Sequence, residues 1–186
     1  MSLLRPPVSA QDHIYGNPSA TIELLEYGDY QCPYCGRAYP IVKNIKERLG
    51  ADLKFVFRNF PLTKIHPQAK LASVATEAAS LQGKFWEMHD IIFENQRRLF
   101  KSALLEYAKV IELNPEQFEA DLDNAALIEK VESDFESGLR SGVNATPTFF
   151  INGEKYSGSW EGDDLEIFIR LKIAEIARAV KTENYF

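Results

Sequence analysis

The feature that most restricts this chain is a strand–helix–strand pattern with two cysteines at its first junction. Residues 21–27 (Thr-Ile-Glu-Leu-Leu-Glu-Tyr) alternate in the manner of a strand and stop at Gly28-Asp29. Cys32-Pro33-Tyr34-Cys35 comes next, and residues 41–49 have helical spacing that ends at Gly50. Residues 52–60 read as a second strand, closed by Pro61. Strand, helix and strand within about forty residues make a βαβ unit. Its two strands must be parallel and its crossover right-handed.

The remaining pattern frames that unit. Residues 1–20 are expected to run over the surface, with a short edge strand at residues 13–15. From His66-Pro67 onward the chain turns helical. The expected apolar stripes are Leu71, Val74, Ala75, Ala78 and Leu81; then Phe85, Met88, His89, Ile92 and Phe93; then Leu104, Leu105, Ala108 and Ile111. Asn114-Pro115-Glu116-Gln117 combines an N-cap, a proline at the first helical position and a capping-box glutamine. Ile128, Val131, Phe135 and Leu139 line a further helix down to Gly142. Asn152-Gly153 then joins two short strands as a hairpin, and a last helix carries Leu165, Ile169, Ile173, Ile176 and Val180. The expected segments are a βαβ half at 1–62, a helical insertion at 63–141 and a ββα half at 142–186.

Composition narrows the class. The chain has 186 residues, 45% hydrophobic and 26% charged, as ordinary globular domains are. A chain of this length buries roughly 70% of its unfolded surface and needs no disulfide staples. A net charge of −6 argues against nucleic acid or an anionic membrane as the main partner. No apolar run approaches the ~18 residues of a membrane span. The N-terminus, Met-Ser-Leu-Leu-Arg-Pro-Pro, lacks the basic and apolar segments of a secretory leader. The compartment therefore reads as periplasmic if a leader has been removed and as cytoplasmic otherwise.

Only two cysteines occur, Cys32 and Cys35. The loop they close is too small to staple a fold. Zinc needs two further ligands, and no second Cys-x-x-Cys or paired-histidine motif exists. A c-type haem needs His at position 36, which is Gly. Redox chemistry remains. Pro33 suits the first helical turn, so Cys32 falls at the N-cap, facing the free N–H groups of Tyr34 and Cys35. Those donors and the helix dipole favour a thiolate at Cys32, the expected exposed nucleophile. Cys35, one turn inside, is the expected resolving thiol.

Two more positions belong to this constellation. Glu26 ends the buried row Ile22, Leu24, Glu26, six residues before Cys32. It either exchanges a proton with Cys35 or reaches solvent, pairing with Lys54 or Arg58. Thr146-Pro147 opens the hairpin, where a proline suits a strand's first residue.

Taken together, Cys32-Pro33-Tyr34-Cys35, Thr146-Pro147 and the order βαβ, helical insertion, ββα resemble the DsbA-like branch of the thioredoxin superfamily. The resemblance covers residues 20–180 and includes runs such as Phe57-Arg58-Asn59-Phe60-Pro61 and Gln82-Gly83-Lys84-Phe85-Trp86. It implies an α/β thioredoxin fold with an inserted all-helical subdomain, a cis Thr146–Pro147 bond, and Glu26 as the superfamily's buried acid. It also implies a thiol–disulfide oxidoreductase acting on cysteine-containing protein substrates without a cofactor. The redox partner would be glutathione or a dedicated oxidase or reductase. One departure matters: the namesake oxidase has histidine where this chain has Tyr34, so Pro33 and Tyr34 are the expected tuning residues. Two other readings stand beside it. One is a dimer holding zinc or an iron–sulfur cluster between two Cys-x-x-Cys pairs; the other is a glutathione-linked oxidoreductase or isomerase.

Elsewhere His66 is expected as a helix cap and His89 as a core residue. Phe85 and Trp86 are expected to pack the insertion, and residues 116–123 to form a solvated acidic face.

Overall fold

A computed structural model describes residues 2–183; residues 184–186 of the last expected segment lie outside the described residues. The elements are β1 (His13–Gly16), β2 (Ile22–Gly28), α1 (Pro33–Leu49), β3 (Leu53–Asn59), α2 (Ala69–Ser80), α3 (Phe85–Glu94), α4 (Lys101–Val110), α5 (Pro115–Asp121), α6 (Ala125–Arg140), β4 (Thr148–Ile151), β5 (Glu154–Lys155) and α7 (Asp164–Glu183). The five strands form one sheet in the order β1-β3-β2-β4-β5. β2 and β3 pair in parallel, as a helical crossover requires, while β1, β4 and β5 join antiparallel. This is the thioredoxin fold, with α2–α6 inserted between β3 and β4.

Local chemistry fixes the element ends. Cys32 is extended (φ −70°, ψ 123°), and Pro33 supplies the first helical residue of α1. The helix stops where Gly50 takes a positive φ and returns its N–H to the Lys46 carbonyl. Asn152 and Gly153 both have positive φ, the geometry of a two-residue hairpin turn.

Alternation along the central strands divides the core. Ile22, Leu24, Phe55 and Phe57 join the larger cluster, which also holds both cysteines and residues of α1, the insertion helices and α7. Leu25, Tyr27 and Val56 face the opposite side with Phe60, Phe150 and Val143. The insertion therefore shares one core with the sheet rather than forming its own.

Several expected contacts differ. Leu81, Leu139 and Val180 are 57%, 54% and 52% exposed, each in the last turn of its helix or just beyond it. His66 does not cap α2, which starts at Ala69; its Nδ1 lies 2.8 Å from the buried Asp29 carboxylate. Asn114 caps α5 by accepting the Gln117 N–H, but the capping box is incomplete. Gln117 turns instead to Asp121, and the Asn114 N–H goes to Gln82. Asp121 is buried, so the acidic segment is not wholly solvated. Phe85 and Trp86 pack towards the sheet edge: Phe85 stacks on His13, and the Trp86 indole N–H donates to the Ile14 carbonyl.

Candidate active site

The loop from β2 into α1 places the two sulfurs. The last residue of β2, Gly28, leaves room for the Phe57 ring, which a Cβ there would approach to 2.4 Å. The Cys32 N–H then donates to the Asp29 carbonyl at 3.0 Å, turning the chain into the helix. Gln96, just beyond α3, donates its side-chain N–H to the carbonyls of Tyr30 (2.9 Å) and Cys32 (3.0 Å). Gly36 is required beneath it, since a Cβ there would overlap the Gln96 amide.

Both cysteines are free thiols, and both are buried. Cys32 is only 4% exposed, not the open sulfur expected, because Thr146 lies across it. The Cys32 thiol donates to the Thr146 carbonyl at 3.5 Å, across 114 residues of sequence. The Thr146–Pro147 peptide is cis. Cys35 is fully buried and accepts the Asp29 N–H at 3.4 Å.

The two sulfurs sit in opposite electrostatic settings. The Cys32 thiol is pulled down to about 5, first by a hydrogen bond from Cys35, with the Thr146 side chain and the N–H groups of Cys35 and Tyr34 adding to it against burial. Burial pushes Cys35 well above the usual thiol range, and its bond to Cys32 and the charge of Glu26 push the same way. Tyr34 is 57% exposed, with the Arg37 guanidinium 4.7 Å over its ring.

Glu26 is 3% exposed and pairs with neither Lys54 nor Arg58. Lys54 bonds Glu23, and Arg58 bonds Asp12. Among the described residues, Glu26 Oε1 has no hydrogen-bond partner. Burial pushes its carboxyl up to about 8, while the Lys46 charge pulls partly back. The Lys46 ammonium is held among aromatic rings, 3.9 Å from the centroid of Tyr15, 5.1 Å from Trp86 and 5.4 Å from Phe55. His89 is a core residue whose Nδ1 meets Asp90 and whose Nε2 has no partner among the described residues; burial lowers its pKa. Among the described residues, no cluster of three or more His, Cys, Asp or Glu could hold a metal ion, and no helix is long and apolar enough to cross a membrane.

Sequence reasoning missed Asp29, Gln96, Lys46 and Arg37. Gly36, directly after the cysteine motif, was the one available signal, since it marks a close approach of backbone and neighbour. Nothing local marks the others, whose partners come from elsewhere in the chain.

Comparison with known proteins finds relatives in sequence and likenesses in fold. The chain is 40% identical over 167 residues to part of the Na(+)/H(+) antiporter NhaA 1 of Mycobacterium sp. (strain KMS), covering 89% of this chain and 27% of the relative. It is 41% identical over 160 residues to part of the antiporter NhaA of Herminiimonas arsenicoxydans, covering 86% and 25%. The chain thus spans about a quarter of the length of these curated relatives. Among solved structures it resembles oxidised BdbD from Bacillus subtilis, with a TM-score of 0.82, 24% identity, and coverage of 93% of this chain and 98% of that one. It also resembles α-DsbA1 of Wolbachia pipientis, with a TM-score of 0.78, 20% identity, and coverage of 94% and 96%. These likenesses place the fold among DsbA-like structures. The family model described as Thioredoxin matches residues 9–170, from β1 into α7, and by that match the chain belongs to the thioredoxin family.

Proposed function

We propose that this chain is a thiol–disulfide oxidoreductase acting on cysteine-containing proteins through Cys32 and Cys35. The reading rests above all on two neighbouring sulfurs in opposite settings, Cys32 at the N-terminus of α1 and Cys35 one turn inside it and fully buried. Cys32 is held near 5, and the buried Cys35 is pushed far up.

In the oxidising direction a substrate thiolate attacks Cys32 Sγ of the internal disulfide, and Cys35 leaves as thiolate and takes a proton. A second substrate thiolate then attacks the substrate sulfur of the mixed disulfide and releases the Cys32 thiolate. The substrate loses two electrons and the dithiol gains them. In reverse, the Cys32 thiolate attacks a substrate disulfide and Cys35 displaces the substrate. Glu26 is the group that gives and takes the Cys35 proton, since an acid raised to about 8 can do either near neutral pH. Thr146 and Pro147 shape the wall against which a substrate strand lies. Pro33 and Tyr34 tune the Cys32 thiolate. Electrons pass on to a second thiol–disulfide couple, either glutathione or a dedicated oxidase or reductase.

Mild alkylation of the reduced protein tests the assignment. Cys32 should react well before Cys35, and Cys35→Ser should trap mixed disulfides with substrate proteins. Equal labelling of the two thiols, or turnover without Cys32, would remove the reading.

A further inference from the structure

Asp29 is fully buried and is bonded to both halves of the dithiol. Its carbonyl accepts the Cys32 N–H, and its own N–H points at Cys35 Sγ. Its carboxylate is fully engaged elsewhere. Oδ1 accepts the Gln31 N–H at 2.8 Å; Oδ2 meets the Leu62 N–H and His66 Nδ1, each at 2.8 Å. A carboxylate only accepts, so Nδ1 of His66 must carry the proton. Gln31 adds a parallel tie, its Oε1 accepting the Gln68 N–H at 2.7 Å. The cysteine loop is thereby clamped to the loop that follows β3.

We propose that Asp29 and His66 are positioning residues for Cys35, holding the Asp29 amide against the sulfur that carries charge in both directions of exchange. The proposal rests on the dithiol reading above. When the internal disulfide opens, the Cys32–Cys35 bond breaks, Cys35 keeps the electron pair, and the new thiolate lies in an apolar setting. When the mixed disulfide is resolved, the same thiolate must form before it attacks Cys32 Sγ and expels the substrate thiolate. In each case the Asp29 N–H is a donor already aimed at the charge. That bond acts on Cys35 against the effect of its burial. Glu26 handles the proton, whereas the Asp29 amide handles the charge left behind. The amide keeps its direction because the side chain of its own residue is fixed at three points, and His66 is the side-chain donor among them.

The test follows single turnovers of the reduced protein with a peptide disulfide. It times formation of the Cys32 mixed disulfide and its resolution by Cys35 separately. His66→Gln places its amide where Nε2 lies and cannot reach Asp29; His66→Asn places an N–H close to the position of Nδ1. His66→Gln should lengthen the mixed-disulfide lifetime about tenfold while formation stays within about twofold. His66→Asn should restore most of the lifetime. An unchanged lifetime in His66→Gln overturns the proposal, as does equal slowing of both steps in both variants, which is the mark of a merely structural residue. If His66→Gln fails to fold, Asp29→Asn supplies the same comparison: a selective lengthening supports the proposal and an unchanged lifetime overturns it. A wild-type protein that formed no mixed disulfide at all would instead overturn the oxidoreductase reading beneath it.

Discussion

Two buried polar groups of residues lie on opposite faces of the same sheet and are built in opposite ways. On the face away from the cysteines, Arg58 uses its whole guanidinium. It donates to Asp12 at 2.7 and 3.0 Å, to the Tyr27 hydroxyl at 3.1 Å, and to the carbonyls of Pro6 and Pro7 at 3.0 and 3.2 Å. Tyr27 in turn meets Ser137 at 2.7 Å. On the cysteine face, Glu26 Oε1 and His89 Nε2 are buried without partners among the described residues, and Lys46 is held by aromatic rings. A saturated network resists any change of protonation, because every change breaks a bond in a low-dielectric interior. An acid without partners changes its protonation without breaking such a bond, which suits the proposed thiol–disulfide exchange.

Breaking the saturated side should have the largest effect. Arg58→Met leaves the Asp12 carboxylate without its cation and should destabilise the protein by about 3–5 kcal/mol in urea unfolding. The alkylation midpoint of Cys32 should stay where it is. A loss below about 1 kcal/mol would mean that the network is screened and the contrast between faces is false.

The next test is on the unsaturated side and has the opposite sign. The folded protein holds the Glu26 carboxyl at about 8, above its value of 4.5 in the unfolded chain. The unfolded state therefore binds fewer protons between those values, and wild-type stability falls as pH rises through that window. By pH 7 the loss is on the order of 3 kcal/mol. Glu26→Gln removes it, so the variant should gain on wild type steadily from pH 4.5 to 8 and level off above. It should also slow resolution of the mixed disulfide. A stability difference that stays flat across pH 4.5–8 would place the titrating acid elsewhere.

The smallest effect is expected at the rim. Tyr34 is exposed and offers the Cys32 thiolate no charge. With the helix N-terminus and Thr146 still present, the potential should fall on the order of −150 to −230 mV. Tyr34→His should raise it by about 30 mV, equivalent to about 1.4 kcal/mol for a two-electron couple, and lower the Cys32 pKa. Equilibration with glutathione buffers measures both proteins. No response to the substitution would shift the tuning to Thr146.

The order of elements, the parallel β2–β3 pair, the Asn152-Gly153 turn and the position of Cys32 at the start of α1 are all legible in the amino-acid sequence. Each depends on neighbours a few residues apart: a proline at the first helical position, two residues that accept positive φ, and a period of two or of three to four. Long-range packing, by contrast, covers Cys32, leaves Glu26 without a partner among the described residues, and turns His66 to Asp29 rather than to a helix cap. Those facts depend on residues 114 positions apart for Cys32 and Thr146, and 37 apart for His66 and Asp29. Stripe patterns likewise could not reveal that Leu81 and Leu139 face solvent. A periodic pattern says which side of a helix is apolar, while burial of each turn requires a neighbour that only the folded chain supplies.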